Sequence, residues 1–320
     1  MQVSVCVPSI RAGVVGDCIR SIRAQSYPDW EVVVVGQGPD GPAIEHAVRD
    51  ASGGDHAKVR YVHLDRLGLC AARSEGVSVT TGDIVAFIDD DCTADPTWLA
   101  ELVARFTPGV DGVCGAVHAP PPARPGPSIC PEAHPLELTV TAADFAGPPP
   151  AGFAVLGANM AFRRSTLDAT GRFDEQLGAG AAFGGGDEYD YLTRVLDGGG
   201  RLRTTPAAAV EHTHGRRHGW RAVWRYQRQR IRGDAGLAAK RVLMSHPDGE
   251  VPVVRATFAE LGRMRHDLTL RRLPYNLARS SILLWSFVRG VRSFRLIGAG
   301  GLDPTQSVLA PRQSSGASST

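Results

Sequence analysis

The hydrophobic residues of the first hundred positions fall into two kinds of run. Short, continuous apolar runs are typical of strands that are buried on both faces. Between them, apolar residues recur every three or four positions, which indicates amphipathic helices. The strands are predicted at 3–7 (ending before Pro8), 31–35, 59–64 and 84–88, and the helices at 14–24, 44–51 and 69–77. This alternation predicts parallel strands joined by right-handed crossovers.

The fourth predicted strand ends in three consecutive carboxylates, Asp89, Asp90 and Asp91. Unpaired charges are too costly for a core, so these residues are expected just beyond the strand, where open α/β sheets bind ligands. Carboxylate oxygens suit Mg²⁺ or Mn²⁺. An acidic turn before a helix that starts at Asp95-Pro96 would explain the same residues. From these residues alone, both interpretations remain open.

The pattern is less regular after the acid cluster. The stretch 119–150 is rich in proline and predicts an irregular surface segment. Further helices are predicted at 98–106, 165–170 and 187–196, and further strands at 112–117, 201–205 and 209–211. A basic, aromatic and then apolar region follows Gly215, which predicts a helical appendage.

Composition narrows the classes of protein. The chain has 320 residues, 43% of them hydrophobic, which is enough for a sizeable core. A net charge of +2 excludes a nucleic-acid surface as the main feature. The six cysteines show no metal-ligand spacing, so we expect free thiols in a reducing compartment. Positive charge comes almost entirely from arginine, which is typical of a GC-rich, bacterial genome.

Neither a signal peptide nor a spanning segment is predicted, so a cytoplasmic location is expected. The amphipathic stretch 274–297 places arginines among apolar residues. A helix packed on the main domain explains this stretch, and so does peripheral contact with the cytoplasmic face of a membrane.

A second acidic pair, Asp187-Glu188, follows a glycine-rich loop roughly a hundred residues after the first cluster. A carboxylate at such a helix start can act as a general base. It can equally serve only to complement the helix dipole.

The order of these motifs resembles inverting nucleotide-sugar glycosyltransferases of family 2. The matching segments are VCVPSIRAG, CIRSIRAQSYPDWEVVVVGQG, GLCAARSEGVSVTTGDIVAFIDDDC, LGANMAFRRSTLDATGRFDEQLG, GGGDEYDYLTRVLDGGGRL and TPAAAVEH, spanning about residues 3 to 214. The resemblance implies a GT-A fold, which is an α/β fold with a mostly parallel central sheet between helices. It implies a domain over 1–215, with a nucleotide-binding half (1–118) and an acceptor half (119–215), then a helical appendage (216–302) and a disordered tail (303–320).

The resemblance also implies roles for single residues. Asp89 corresponds to the acid near the ribose, and Asp91 to the metal ligand of a DxD motif that holds Mn²⁺ or Mg²⁺. Glu188 corresponds to the catalytic base, although the inverted order of the acidic pair keeps Asp187 as a candidate. The implied metal residues are Asp91, Asp89 and His212, and the implied donor-binding residues are Pro8, Gln37, Asp40, Arg73, Asp89, Asp90 and Asn159.

One departure concerns the nucleobase. The family usually has an aspartate after the second strand, where this chain has Gly36-Gln37-Gly38. The Gln37 amide offers both a donor and an acceptor to a base. Uridine, thymidine and guanosine donors therefore all stay open.

The expected activity is transfer of a sugar from a nucleoside-diphosphate sugar to a glycan, lipid-linked or small-molecule acceptor, with inversion. A nucleotidyltransferase would need a glycine-rich phosphate loop and a lysine after the first strand, and residues 8–13 have neither. A non-catalytic nucleotide-sugar-binding protein on the same fold is the remaining alternative. The presence of both acid sets argues against it.

Overall fold

The computed structural model describes residues 1–145, 149–245 and 281–291. A large mixed sheet forms the centre of the protein, with neighbouring strands in the order β3-β2-β1-β4-β9-β6-β10-β5 and with β8 also paired to β10. Its strands are β1 (Val3–Ser9), β2 (Trp30–Gln37), β3 (Val59–Leu64), β4 (Ile84–Ile88), β5 (Thr93–Ala94), β6 (Gly112–His118), β8 (Leu138–Val140), β9 (Asn159–Arg163) and β10 (Leu202–Glu211). Two short strands, β7 (Ser128–Ile129) and β11 (Arg217–His218), pair separately.

Helices cover both faces of the sheet. They are α1 (Ala12–Arg23), α2 (Gly41–Ala51), α3 (Leu69–Val79), α4 (Trp98–Arg105), α5 (Arg164–Thr170), α6 (Asp187–Asp197) and α7 (Trp220–Ser245). Alternate residues of β1 point to opposite sides: Val5 packs in one core cluster with α1, α2 and α4, whereas Cys6 packs in another with α5 and α6. Burial on both faces explains why these strands are continuous apolar runs in the sequence.

The first four strands confirm the parallel arrangement predicted from the sequence, since β1 pairs in parallel with both β2 and β4, and β2 with β3. The end predicted for β1 was wrong, because the strand continues through Pro8 to Ser9. β1 pairs with β4 only as far as Cys6, so at Pro8 it is paired with β2 alone. Proline is tolerated at such an edge.

The second half of the sheet includes β9, which was not among the strands predicted from the sequence. β9 lies between β4 and β6 and is antiparallel to both. Among the described residues between β8 and β9, the only helical segment is a short 3-10 turn at Ala142–Phe145. Such an irregular connection can bring the chain into the sheet from the opposite end. The stretch 119–150 is also more ordered than expected, because it contributes β7, β8 and a bridge between Val117 and Ala133.

The helix α7 packs over the glycine-rich loop that precedes α6. A Cβ at Gly233 of α7 would lie 2.6 Å from the backbone of Gly185, so the two segments touch through glycine. Leu177 and Phe183 of the loop share a cluster with α7 and with the helix over 281–291. The parts of the predicted appendage at 246–280 and 292–302, and the predicted tail at 303–320, lie outside the described residues.

Lys240 anchors α7 to the first turn of α6. Its ammonium group is buried and lies 2.7 Å from Asp174 Oδ2 and 2.6 Å from Asp190 Oδ1. We expect Lys240→Met to lower the free energy of unfolding by about 3 kcal/mol, because it removes the cation paired with Asp174 and leaves the buried Asp190 with Arg194 alone. Denaturant unfolding measures this. Lys58→Met is the matched control, since Lys58 is only half-buried and bonds a backbone carbonyl; an equal loss in both variants would contradict the anchoring role.

Candidate active site

The acid cluster lies at the carboxyl end of β4, as the sequence predicts, yet it is not open to solvent. The residues Asp90 and Asp91 are each 4% exposed, and Asp89 is half-buried. Asp90 accepts a hydrogen bond of 2.7 Å from the Ser9 hydroxyl and pairs with Arg11. Burial of these carboxylates is tolerated because neighbouring strand ends supply hydrogen-bond donors and positive charge.

Asp91 faces a histidine that comes from the far end of β10. Asp91 Oδ1 lies 3.5 Å from His212 Nε2, and His212 Nδ1 donates to the Pro131 carbonyl at 2.8 Å. Burial opposes ionisation of Asp91, but the His212 hydrogen bond and the charges of His212 and Arg11 hold its pKa well below the ordinary value. The carbonyl at Nδ1 fixes the ring so that Nε2 points at the carboxylate, which is the usual arrangement of a metal-binding histidine.

The donor atoms of Asp91, Cys92 and His212 all lie within 4.8 Å of one another. Burial raises the pKa of the Cys92 thiol well above its ordinary value, and sulfur is too soft a ligand to suit Mg²⁺ or Mn²⁺. The remaining carboxylate and imidazole fit a divalent cation. Imidazole is a borderline ligand that Mg²⁺ rarely takes.

The second acidic pair begins α6. Gly186 precedes it with a φ of 81°, a left-handed conformation that glycine adopts without strain. The side chain of Asp187 is buried and pairs with Arg73, whereas Glu188 is half-buried. Burial and the nearby negative charge of Asp187 raise the pKa of Glu188 to about 8. Its environment therefore makes Glu188 an unusually basic carboxylate.

Arg73 joins the two acid sets. Its guanidinium pairs with Asp187, lies 3.4 Å from Asp89 Oδ1, and donates to the Gly157 carbonyl at 2.8 Å. Only 1% of the side chain is exposed. Arg73 thus lies between the acid cluster and the second acidic pair, with protein groups as its partners.

The other predicted donor residues lie at different depths. Asn159 is fully buried: its amide donates to the carbonyls of Ala116 and Ala208, and its oxygen accepts from the Trp98 indole. Gln37 is 3% exposed, and its amide nitrogen donates to two backbone carbonyls, those of Arg66 and Gly68. Both polar atoms of the Asn159 side chain thus form hydrogen bonds within the protein.

Pro8 is buried inside β1, and Asp40 is exposed just before α2, where its side chain caps no backbone group. Ser9, Arg11 and Cys92 were not singled out from the sequence. Ser9 is the last residue of β1 and Arg11 lies two residues later, at the same sheet edge as the acid cluster. The rule that ligand-binding groups gather at the carboxyl ends of parallel strands would have pointed to them.

The amino-acid sequence matches the family Glycosyl transferase family 2 over residues 4–168. Among curated proteins, it is 29% identical over 181 residues to a glucosyl-dolichyl phosphate glucuronosyltransferase of Haloferax volcanii, which covers 56% of this chain and 57% of the relative. It is 27% identical over 203 residues to a pre-mycofactocin glycosyltransferase of Mycobacterium tuberculosis, covering 63% of this chain and 40% of the relative. The chain thus matches only about half the length of these relatives.

Two solved structures share the fold. A mannosyltransferase from Pyrobaculum calidifontis, in complex with GDP-Man and Mn²⁺, has a TM-score of 0.57 and 20% identity, over 91% of this chain and 87% of that one. S. aureus TarS (residues 1–349), in complex with UDP-GlcNAc, has a TM-score of 0.54 and 15% identity, over 94% of this chain and 92% of that one. These similarities confirm the predicted GT-A fold.

Proposed function

Because the chain belongs to glycosyltransferase family 2, we propose that it is a metal-dependent, inverting glycosyltransferase. It moves a sugar from a nucleoside-diphosphate sugar to an acceptor hydroxyl. The observation that carries this proposal is the meeting of two acid sets around Arg73, since Asp89 and Asp187 both contact its guanidinium. One set suits a donor with its metal, and the other suits a base for the acceptor.

On the donor side, Asp91 and His212 would hold the metal, with Asp89 beside them near the ribose. A bound divalent cation stabilises the charge that develops on a departing diphosphate. Carboxylate and imidazole in this arrangement favour Mn²⁺, and Mg²⁺ remains the alternative. The Pyrobaculum mannosyltransferase, which shares the fold, was solved with Mn²⁺.

On the acceptor side, Glu188 would take the proton of the attacking hydroxyl. Asp187 is less suited to this role because its carboxylate is already paired with the buried Arg73. A pKa of about 8 gives Glu188 the proton affinity that a base needs near neutral pH. Asp187 then acts by positioning Arg73 and by raising the pKa of its neighbour.

Gln37 remains the proposed nucleobase contact, but only through its side-chain oxygen. Its amide nitrogen already bonds two carbonyls, so only its oxygen is left for a ligand. An oxygen acceptor suits the ring N–H of uracil, thymine or guanine. Asp40 lies at the same strand end and remains a candidate for the base or ribose. Asp90 remains a proposed donor-side residue because it lies between Asp89 and Asp91 and pairs with Arg11 and Ser9.

Three further predicted donor residues are better explained as supports. Arg73 holds the two acid sets in place, Asn159 ties β9 to two other strands, and Pro8 shapes the end of β1. Each is buried with protein partners or neighbours. We therefore place them behind the donor site rather than against the donor.

The acceptor is proposed to be a glycan, a lipid-linked sugar or a small molecule. Among the described helices, none is both long and apolar enough to cross a bilayer. The predicted membrane contact at 274–297 is described only over 281–291, where the apolar residues Leu284, Trp285 and Val288 are exposed. We retain peripheral contact with the cytoplasmic face of a membrane as part of the proposal.

A thermal-shift screen of nucleoside diphosphates tests the function. UDP, TDP or GDP with Mn²⁺ should raise the unfolding midpoint, because a ligand at 100 times its Kd adds about 2.7 kcal/mol to the stability of the folded state. The same nucleotide with EDTA should raise it far less. The matching nucleotide sugar should then be consumed in the presence of Mn²⁺. Binding without consumption would favour the non-catalytic alternative, and no binding by any nucleotide would contradict both.

A further inference from the structure

Arg11 is an unassigned cation inside the proposed metal site. It follows β1 directly, and its guanidinium pairs with Asp90 and lies 3.0 Å from Asp91 Oδ2. Its backbone N–H donates to Ser9 Oγ at 3.2 Å, and that hydroxyl donates to Asp90 Oδ2 at 2.7 Å. The turn after β1 is therefore bound to the acid cluster through both main chain and side chain.

The two arginines of the site differ in how firmly they are held. The side chain of Arg73 is 1% exposed and donates to a backbone carbonyl as well as to carboxylates. The side chain of Arg11 is 44% exposed, and among the described residues its guanidinium forms ion pairs only with Asp90 and Asp91. Arg11 can thus swing into solvent without breaking the core, whereas Arg73 cannot.

Both carboxylate oxygens of Asp91 already face a nitrogen group. Oδ2 faces Arg11 at 3.0 Å, and Oδ1 faces His212 Nε2 at 3.5 Å. A divalent cation bound to this carboxylate would lie within a few ångströms of the guanidinium. Like charges at that separation repel strongly in a partly buried site. Metal and guanidinium therefore compete for Asp91.

We propose that Arg11 is the resident counter-cation of Asp90 and Asp91, and that it exchanges with the divalent metal. This rests on the proposed function, which assigns the metal to Asp91. Without metal, Arg11 neutralises carboxylates that would otherwise repel one another. With metal, it leaves Asp91 free to coordinate. The exchange keeps metal affinity low until a nucleoside diphosphate brings further negative charge to the site.

The test measures Mn²⁺ binding to the metal-free, full-length protein without nucleotide, by calorimetry or by electron paramagnetic resonance. We expect Arg11→Gln to bind Mn²⁺ about tenfold more tightly, because the competing charge is gone. Its unfolding midpoint in EDTA should fall, and Mn²⁺ should raise that midpoint more than in the wild type. Arg11→Lys keeps a competing charge, so its Mn²⁺ affinity should stay close to that of the wild type.

Arg49→Gln is the matched control. Arg49 lies on α2 and pairs with Glu45, and both side chains are exposed, so this variant removes the same charge from a helix that carries none of the acid-cluster residues. Its Mn²⁺ affinity should equal that of the wild type. Equal or weaker Mn²⁺ binding by Arg11→Gln, relative to the wild type, overturns the exchange while leaving the proposed function intact. A wild-type protein that binds no Mn²⁺ even with nucleoside diphosphates overturns both.

Discussion

Glu188→Gln should bind the nucleotide sugar and Mn²⁺ like the wild type while losing on the order of a hundredfold to ten-thousandfold in turnover, the usual effect of removing a general base. The amide cannot accept the acceptor's proton, and nothing on the donor side changes. Turnover assays with saturating donor measure the loss. Thermal shift with nucleotide and Mn²⁺ measures the retained binding.

Asp187→Asn is the matched comparison on the neighbouring residue. It also removes one carboxylate charge. The Asp187 carboxylate is paired with Arg73, however, and is therefore not the proposed base. Its turnover should fall less than that of Glu188→Gln. A dead Asp187→Asn beside an active Glu188→Gln would mean that the roles are exchanged. If both variants stay active, the base lies elsewhere.

The same residue predicts the acid limb of the pH–rate profile. Burial and the charge of Asp187 raise the pKa of Glu188 to about 8, while Arg73 acts in the opposite direction. Tyr189, Tyr226 and Cys114 also interact with it electrostatically. A base works only when deprotonated, so kcat/KM should fall about tenfold per pH unit below 8. The residual kcat/KM of Glu188→Gln should not fall in this way below pH 8.

Asp91→Asn should abolish transfer and the Mn²⁺-dependent part of nucleotide binding. The neutral amide is a much weaker ligand for a hard cation, and His212 alone cannot hold the ion. Loss of two to four orders of magnitude in rate is expected, roughly the effect of removing one charge-stabilising group from a transition state. Calorimetric titration with Mn²⁺ and nucleoside diphosphate checks the binding, and circular dichroism checks the fold.

Asp83→Asn supplies the control for that experiment. Asp83 is an exposed carboxylate just before β4, at the opposite end of the strand from the acid cluster. The variant carries the same chemical change, and its transfer rate and Mn²⁺ binding should match the wild type. Wild-type transfer by Asp91→Asn would show that the metal assignment is wrong.

Local pattern predicted the first half of the fold well. Residues 84–88 form a buried parallel strand, and the carboxylates after it lie at its carboxyl end, both as expected. The physical reason is that burial on both faces leaves a continuous apolar run, and such a run is visible in the sequence. The ordered series of motifs added the family, which the match over residues 4–168 confirms.

Antiparallel pairing of β9 was not predictable in this way. A strand's periodicity states which faces are buried, but it does not state the direction of its neighbours. That direction depends on contacts between residues far apart in the chain, such as the register of Ile88 with Asn159. The same pairing buried Asn159, so a residue expected at the donor became part of the sheet's support.

Sequence by itself determined which residue types gather at the candidate active site: carboxylates after β4, an acidic pair at the start of α6 and a histidine after β10. Only the tertiary structure decided which of these groups pair with one another. It paired Asp187 with Arg73, raised the pKa of Glu188 through burial and the charge of Asp187, and placed Arg11 beside Asp91. Charge and hydrogen-bond satisfaction are properties of neighbours in space, so no one-dimensional pattern contains them.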